Sequence, residues 1–150
     1  MRLSILCFVV AGLAGTIGVV LGIVMGMLHD FTLAPAHAHL NLLGWVSMAI
    51  YGLYHRAADS RSRLASVQVG CAATGFPLFS GGLAVSLATG SETVLPLVVI
   101  GALCWLVGMV LFVALVIRDA MVAKRAAQVD RKSTRLNSSH VSQSRMPSSA

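Results

Sequence analysis

The chain has 150 residues, of which 57% are hydrophobic and only 11% are charged, and its formal net charge is +6. Because soluble domains contain about 25% charged residues, this composition excludes an ordinary soluble globular domain and indicates an integral membrane protein. Its lysines and arginines lie between apolar runs rather than in one patch, which argues against a nucleic-acid-binding protein.

Four apolar runs have the length of about 20 residues that a membrane-spanning helix needs. Lipid offers the backbone no hydrogen-bonding partner, so runs of this kind are predicted to be α-helices. The sequence therefore predicts an all-α, four-helix integral membrane bundle within residues 1–129. The predicted spans are Leu3–Leu28, Ala36–Tyr54, Leu64–Thr89 and Thr93–Ile117.

The first run favours a packed membrane helix over a cleaved signal peptide. Ala34-Pro-Ala36 resembles a cleavage site, but the apolar run before it is longer than the roughly 7–15 residues of a signal peptide. The run also carries small residues at every fourth position, a ridge that lets another helix approach closely. This ridge is predicted to pack within the bundle or in a homo-oligomer. Its members are Ala14, Gly18, Gly22 and Gly26.

The basic residues predict the orientation of the bundle. All seven lysines and arginines before residue 130 precede the first span, follow the fourth, or join the second span to the third. Since cytoplasmic loops carry an excess of lysine and arginine, both termini are predicted to be cytoplasmic. The seven residues are Arg2, Arg56, Arg61, Arg63, Arg118, Lys124 and Arg125.

The second span carries two histidines, His37 and His39, at its outer end. An ionisable side chain at membrane depth usually faces a partner, a cavity or a cofactor, and neutral imidazole binds iron, copper and zinc well. Helical residues two apart point about 200° apart, so these rings are predicted to face different elements. They suit two cofactors, or one cofactor and one structural contact. The alternative is hydrogen bonding to headgroups or to a neighbouring helix.

Two further histidines lie at predicted span ends. His55 follows Tyr54 and precedes Arg56 at the inner end of the second span, where it is predicted to reach the membrane interface. His29 stands beside Asp30 at the outer end of the first span. It is either a second ligand near the histidine pair or a histidine at headgroup level.

The third and fourth spans carry little ionisable chemistry. No His, Asp, Glu, Lys or Arg lies deep in either of them, which argues against an ion path through this chain. The three cysteines lie in separate apolar runs without paired spacing and are predicted to be buried, inert thiols. They are Cys7, Cys71 and Cys104.

The segment His37-Ala-His39-Leu-Asn-Leu-Leu-Gly44-Trp45 resembles the H-x-H…L-G-W segment of heme–copper oxidase subunit I, in particular the C-family type. In that family the two histidines lie on one helix and ligate two hemes on opposite faces. The resemblance implies His37 as the high-spin heme ligand and His39 as the low-spin ligand. It covers about 20 residues, Ala36 to Arg56, and the family's copper-ligating histidines have no counterpart in this chain.

The resemblance implies a small, multi-pass protein of the bacterial inner (cell) membrane that binds heme b through His37 and His39. Its role would be respiratory electron transfer or heme handling, without oxygen reduction by this chain alone. A second copy of the chain or a subunit of a respiratory complex would supply the missing axial ligand. Two alternatives stay open: a cofactor-free assembly or structural subunit of such a complex, and a metal-ion transporter that uses His29 and the pair.

The chain changes character at Asp130, after which it is polar and has no apolar stripe. A disordered cytoplasmic tail is the simpler interpretation. However, residues 130–140 and 144–150 back-translate in one frame to nucleotides that resemble a common short-read sequencing adapter, with residues 141–143 at the index position. We therefore interpret residues 130–150 as a non-native tail, resembling translated adapter, and exclude His140 as a ligand.

Overall fold

The structure, a computed structural model, describes residues 3–58 and 62–143, with side chains as far as Val129 and that of Arg131. All regular structure in these ranges is helical, which confirms the predicted all-α class. The elements are α1 (Leu3–Leu28), α2 (Ala34–His39), a π-helix (Leu40–Ser47), α3 (Met48–Ala57), α4 (Arg63–Thr89), a 3₁₀ helix (Glu92–Val94) and α5 (Leu95–Gln143).

Three stretches of helix are long and apolar enough to cross a membrane: Leu3–Leu28, Arg63–Thr89 and Glu92–Val129. They agree closely with the first and third predicted spans, and the last begins within one residue of the fourth but continues beyond its predicted end at Ile117. The second predicted span is built from α2, the π-helix and α3, which follow one another without a gap over residues 34–57. None of these three segments alone has the length of a membrane span.

The chain divides into two units, Met1–Val113 and Ala114–Ala150. The first unit contains α1 to α4 and the beginning of α5, and it holds all the candidate site residues. In the second unit the backbone of α5 is helical as far as Gln143, which lies within the predicted non-native tail. Residues 144–150 of that tail lie outside the described residues.

The small-residue ridge of α1 packs inside the first unit, against the helical stretch that carries the histidine pair. A Cβ atom added at Gly22 would lie 3.1 Å from Cε1 of His37, and one added at Gly18 would overlap the amide of Asn41. The predicted bundle packing is therefore confirmed at these two glycines. Gly26, the last member of the predicted ridge, has no such neighbour within 4 Å.

Helices α4 and α5 are in direct backbone contact. A Cβ atom at Gly75 would lie 2.6 Å from the backbone nitrogen of Trp105 and 2.9 Å from the carbonyl oxygen of Gly101. Small residues at such crossings permit the close packing that holds membrane helices together, since apolar burial against lipid tails gains little. The ends of α4 are defined locally: the Ser62 side chain caps its N-terminus, and Gly90 adopts a left-handed φ of 66° at its C-terminus.

The core of the first unit lies between α1, α3, α4 and the beginning of α5. Tyr51 lies within this core, and its ring centroid is 4.6 Å from that of Phe112 and 5.9 Å from that of Trp105. Large apolar side chains such as Val9 and Leu13 are exposed on the outside of the bundle. An apolar exterior of this extent is unusual for a soluble protein and suits contact with a lipid bilayer.

We expect Gly75→Ala to destabilise the bundle by about 1–3 kcal/mol, because the new methyl group meets backbone atoms that no side-chain rotation can move. Gly70→Ala, in the same helix, is the matched control, since a Cβ there meets nothing within 4 Å. It should be neutral, or more stable by up to about 1 kcal/mol. Thermal unfolding in detergent measures both; equal stability of the two variants would contradict the α4–α5 contact.

Candidate functional site

The connection between α1 and α2 fixes where the histidine pair begins. His29 ends α1 in a left-handed conformation with φ of 53°. Oδ1 of Asp30 then accepts hydrogen bonds from the hydroxyl (2.6 Å) and the backbone N–H (2.9 Å) of Thr32. These bonds lower the pKa of Asp30, and the bond from the hydroxyl has the larger effect. Pro35 stands in the first turn of α2, a position its fixed φ favours, so the chain enters this helix in a defined direction.

The His37 ring faces α1. It is half-buried, and its Cε1 edge lies against Gly22. The side-chain amide nitrogen of Asn41 donates to the His37 carbonyl oxygen at 3.0 Å and lies 3.4 Å from each ring nitrogen. His37 therefore stands between a glycine of the neighbouring helix and an amide of its own helix, which is the environment of a packing side chain.

The His39 ring faces α4. Its centroid lies 4.7 Å from that of Phe79, with the two rings perpendicular. Nδ1 lies 2.7 Å from the carbonyl oxygen of Pro35, which can only accept, so Nδ1 carries the proton and donates. The lone pair is consequently on Nε2, which has no hydrogen-bond partner among the described residues. Ligand histidines are commonly held in this way, with one ring N–H on a backbone carbonyl and the other nitrogen free for the metal.

The π-helix begins directly after His39. Such wider turns are rare and are often found at functional sites. Three side chains of this stretch, each four residues from the last, face successive glycines of α1. His37 faces Gly22, Asn41 faces Gly18, and Trp45 faces Gly15, where an added Cβ atom would lie 3.0 Å from Trp45 Cγ. The sequence pattern of this segment did not predict the π-helix.

The two rings thus lie against different helices, as their spacing predicts, and do not converge on one point. Among the described residues, no group of three or more His, Cys, Asp or Glu side chains is placed to hold a metal ion. His29 does not form such a group with His37 and His39. The roles of His37 and His39 as heme ligands stay predictions.

The prediction that the His55 side chain reaches the membrane interface is wrong. Its side chain is only 3% exposed, and its Nε2 lies 2.8 Å from Oε1 of Gln68, which is fully buried on α4. The reason is a tertiary contact: α4 supplies a polar partner inside the bundle, so the imidazole need not reach the interface. Nδ1 of His55 and Nε2 of Gln68 are buried without hydrogen-bond partners among the described residues. The sequence signal that could have indicated this contact is Gln68, the single amide side chain of α4.

Comparisons with protein-family models, with curated proteins and with solved structures find no match for this chain. The features of this chain that bear on function are therefore the geometry of its histidines and the short oxidase-like segment that carries two of them.

The His55–Gln68 pair should behave as one energetic unit. Gln68→Leu leaves the buried imidazole without its partner and should cost about 1–3 kcal/mol of stability, whereas replacing both residues by leucine should cost less than the two single changes together. A double-mutant cycle of thermal unfolding in detergent measures the coupling. Additive single changes would show that the two side chains do not interact.

Proposed function

We propose that this chain is a small oxidase-like membrane protein that binds heme b through His39 and serves respiratory electron transfer. The observation that carries the proposal is the fixed tautomer of His39, whose Nδ1–H donates to Pro35 and whose Nε2 is left as a ligand. Iron, when bound there, would supply one-electron transfer. The protein's part is to orient the imidazole and to surround the iron ligand with apolar side chains.

Apolar side chains beside His39 and in the segment after it suit a flat, apolar cofactor. Phe79 lies beside the ring as an aromatic wall, and Leu42 and Val46 of the adjoining π-helix are exposed apolar side chains. The π-helix at this point adds support, since such segments are frequent at functional sites.

His39 and His37 differ as ligands. The edge of the His37 ring that carries Cε1, between its two nitrogens, is against Gly22, and the Asn41 amide nitrogen lies 3.4 Å from each of those nitrogens, so both are hindered as ligands. We therefore assign the ligand role to His39 and a packing role to His37. Because one chain then offers one axial ligand, a second copy of the chain supplies the other, and the heme lies between two protomers.

The membrane arrangement we propose has four spans, both termini in the cytoplasm, and the bacterial inner membrane as its location. Residues 34–57 are helical throughout, and at about 1.5 Å per residue they reach roughly 35 Å, which exceeds a hydrocarbon core of about 30 Å. The connection from His29 to Leu33 carries no lysine or arginine, which supports an outer location for the histidine pair.

We expect the protein, produced with heme supplied and purified in detergent, to show sharp reduced α and Soret bands with one heme for every two chains. His39→Ala should remove the bands, because the iron loses its axial ligand. His37→Ala should keep them, since its ring packs on α1. His29→Ala is the matched control, a histidine exchange close in sequence that leaves the heme unchanged. Visible spectra and heme-to-protein ratios measure all four proteins.

Circular dichroism of each variant separates loss of heme from loss of fold. A folded His39→Ala protein with full heme content would overturn the ligand assignment, and a folded His37→Ala protein without heme would transfer the role to His37. A folded but colourless wild-type protein would favour the cofactor-free assembly or structural subunit instead.

A further inference from the structure

Two of the three cysteines lie together where α4 meets α5. The Cys104 thiol donates to the carbonyl oxygen of Cys71 at 3.4 Å, and its sulfur lies 3.5 Å from Oγ1 of Thr74. Cys71 and Cys104 are therefore neighbours across the contact between the two helices. The expectation that these two thiols are buried was therefore wrong, since both are half-buried, and a helix contact brings them together although they are distant in sequence.

The glycine contact explains why the two cysteines are neighbours. Gly75 of α4 lies one turn after Cys71, and the backbone it touches on α5 is that of Gly101 and Trp105, on either side of Cys104. Two helices in backbone contact bring side chains beside the crossing within reach of each other. A disulfide requires Cα atoms about 4.4–6.8 Å apart, so a disulfide between two helices requires that they cross closely.

The pair is accessible from the outside of the bundle, but at membrane depth. Cys71 and Cys104 are half-buried and Thr74 is exposed, whereas Cys7 is completely buried in the core. Cys71 lies about 12 Å along α4 from Arg63, at about 1.5 Å per residue, which places it well inside an apolar helix. A reagent dissolved in lipid can reach these thiols, and one dissolved in water cannot.

We propose that Cys71 and Cys104 form an intramembrane dithiol that a lipid-soluble quinone oxidises to a disulfide linking α4 to α5. The two S–H bonds break and one S–S bond forms. Both electrons and both protons pass to the quinone, which leaves as the quinol. Thiols, disulfide, quinone and quinol are all uncharged, so the overall reaction leaves no net charge in the hydrocarbon core, where charge is costly. This inference is independent of heme binding.

The test uses the full chain in lipid vesicles, with decylubiquinone, a fully ring-substituted quinone, as the oxidant. We expect free thiols, counted by alkylation after denaturation, to fall from three to one per chain. The intact mass should fall by two hydrogen atoms, a peptide joining Cys71 to Cys104 should appear, and quinol should form in equal amount. Oxidised glutathione, which stays in water, should leave all three thiols free.

Serine variants identify which cysteines react. Cys7→Ser is the matched control and should lose both remaining thiols to quinone, whereas Cys71→Ser and Cys104→Ser should keep both of theirs. Three free thiols in the quinone-treated wild-type protein would overturn the proposal. So would a mass increase by one quinone, because it would show addition to a single thiol, or equal thiol loss in Cys104→Ser.

Discussion

The close approach of α1 to the stretch from α2 to α3 is the contact on which the candidate site depends. Membrane helices gain little from apolar burial, so small residues that allow dense packing hold them together. In this protein, Gly22 and Gly18 admit His37 and Asn41 to the surface of α1. Once His37 is fixed there, the helical spacing directs His39 to the opposite side, where it meets Phe79 on α4. One packing contact therefore decides which histidine is enclosed and which keeps a nitrogen available.

The same principle operates at the crossing of α4 with α5, with a different result. Gly75 and Gly101 bring two backbones together, and beside that crossing the Cys104 thiol donates to the carbonyl oxygen of Cys71. Polar groups inside this bundle thus occur in pairs that contact each other across helices, and His55 with Gln68 is a second example. Each pair joins two helices that are neighbours in space, because a buried polar group without a partner costs free energy that a membrane bundle cannot recover from water.

Local patterns predicted what depends on local chemistry. The apolar runs predicted α1 from Leu3 to Leu28 and α4 to within one residue, and the four-residue spacing of small residues predicted the packing face of α1. The burial of His55 was not predictable from its own neighbours, since its partner belongs to another helix. The Cys71–Cys104 contact depends on the register between two helices, which no single segment specifies.

The geometry at His39 connects the proposed chemistry to assembly. Heme iron has two axial positions, and in the proposed complex each chain offers one free Nε2, that of His39. In the proposed complex, heme binds two protomers better than one, so by mass action it stabilises the dimer over the separate chains. Removal of the His39 ligand then weakens both the association of the chains and the heme affinity. A change in the α1 packing face alters these two properties only by changing the stability of the fold. The Pro35 carbonyl strengthens this coupling, because it holds the imidazole in the ligating tautomer before either heme or a second chain arrives.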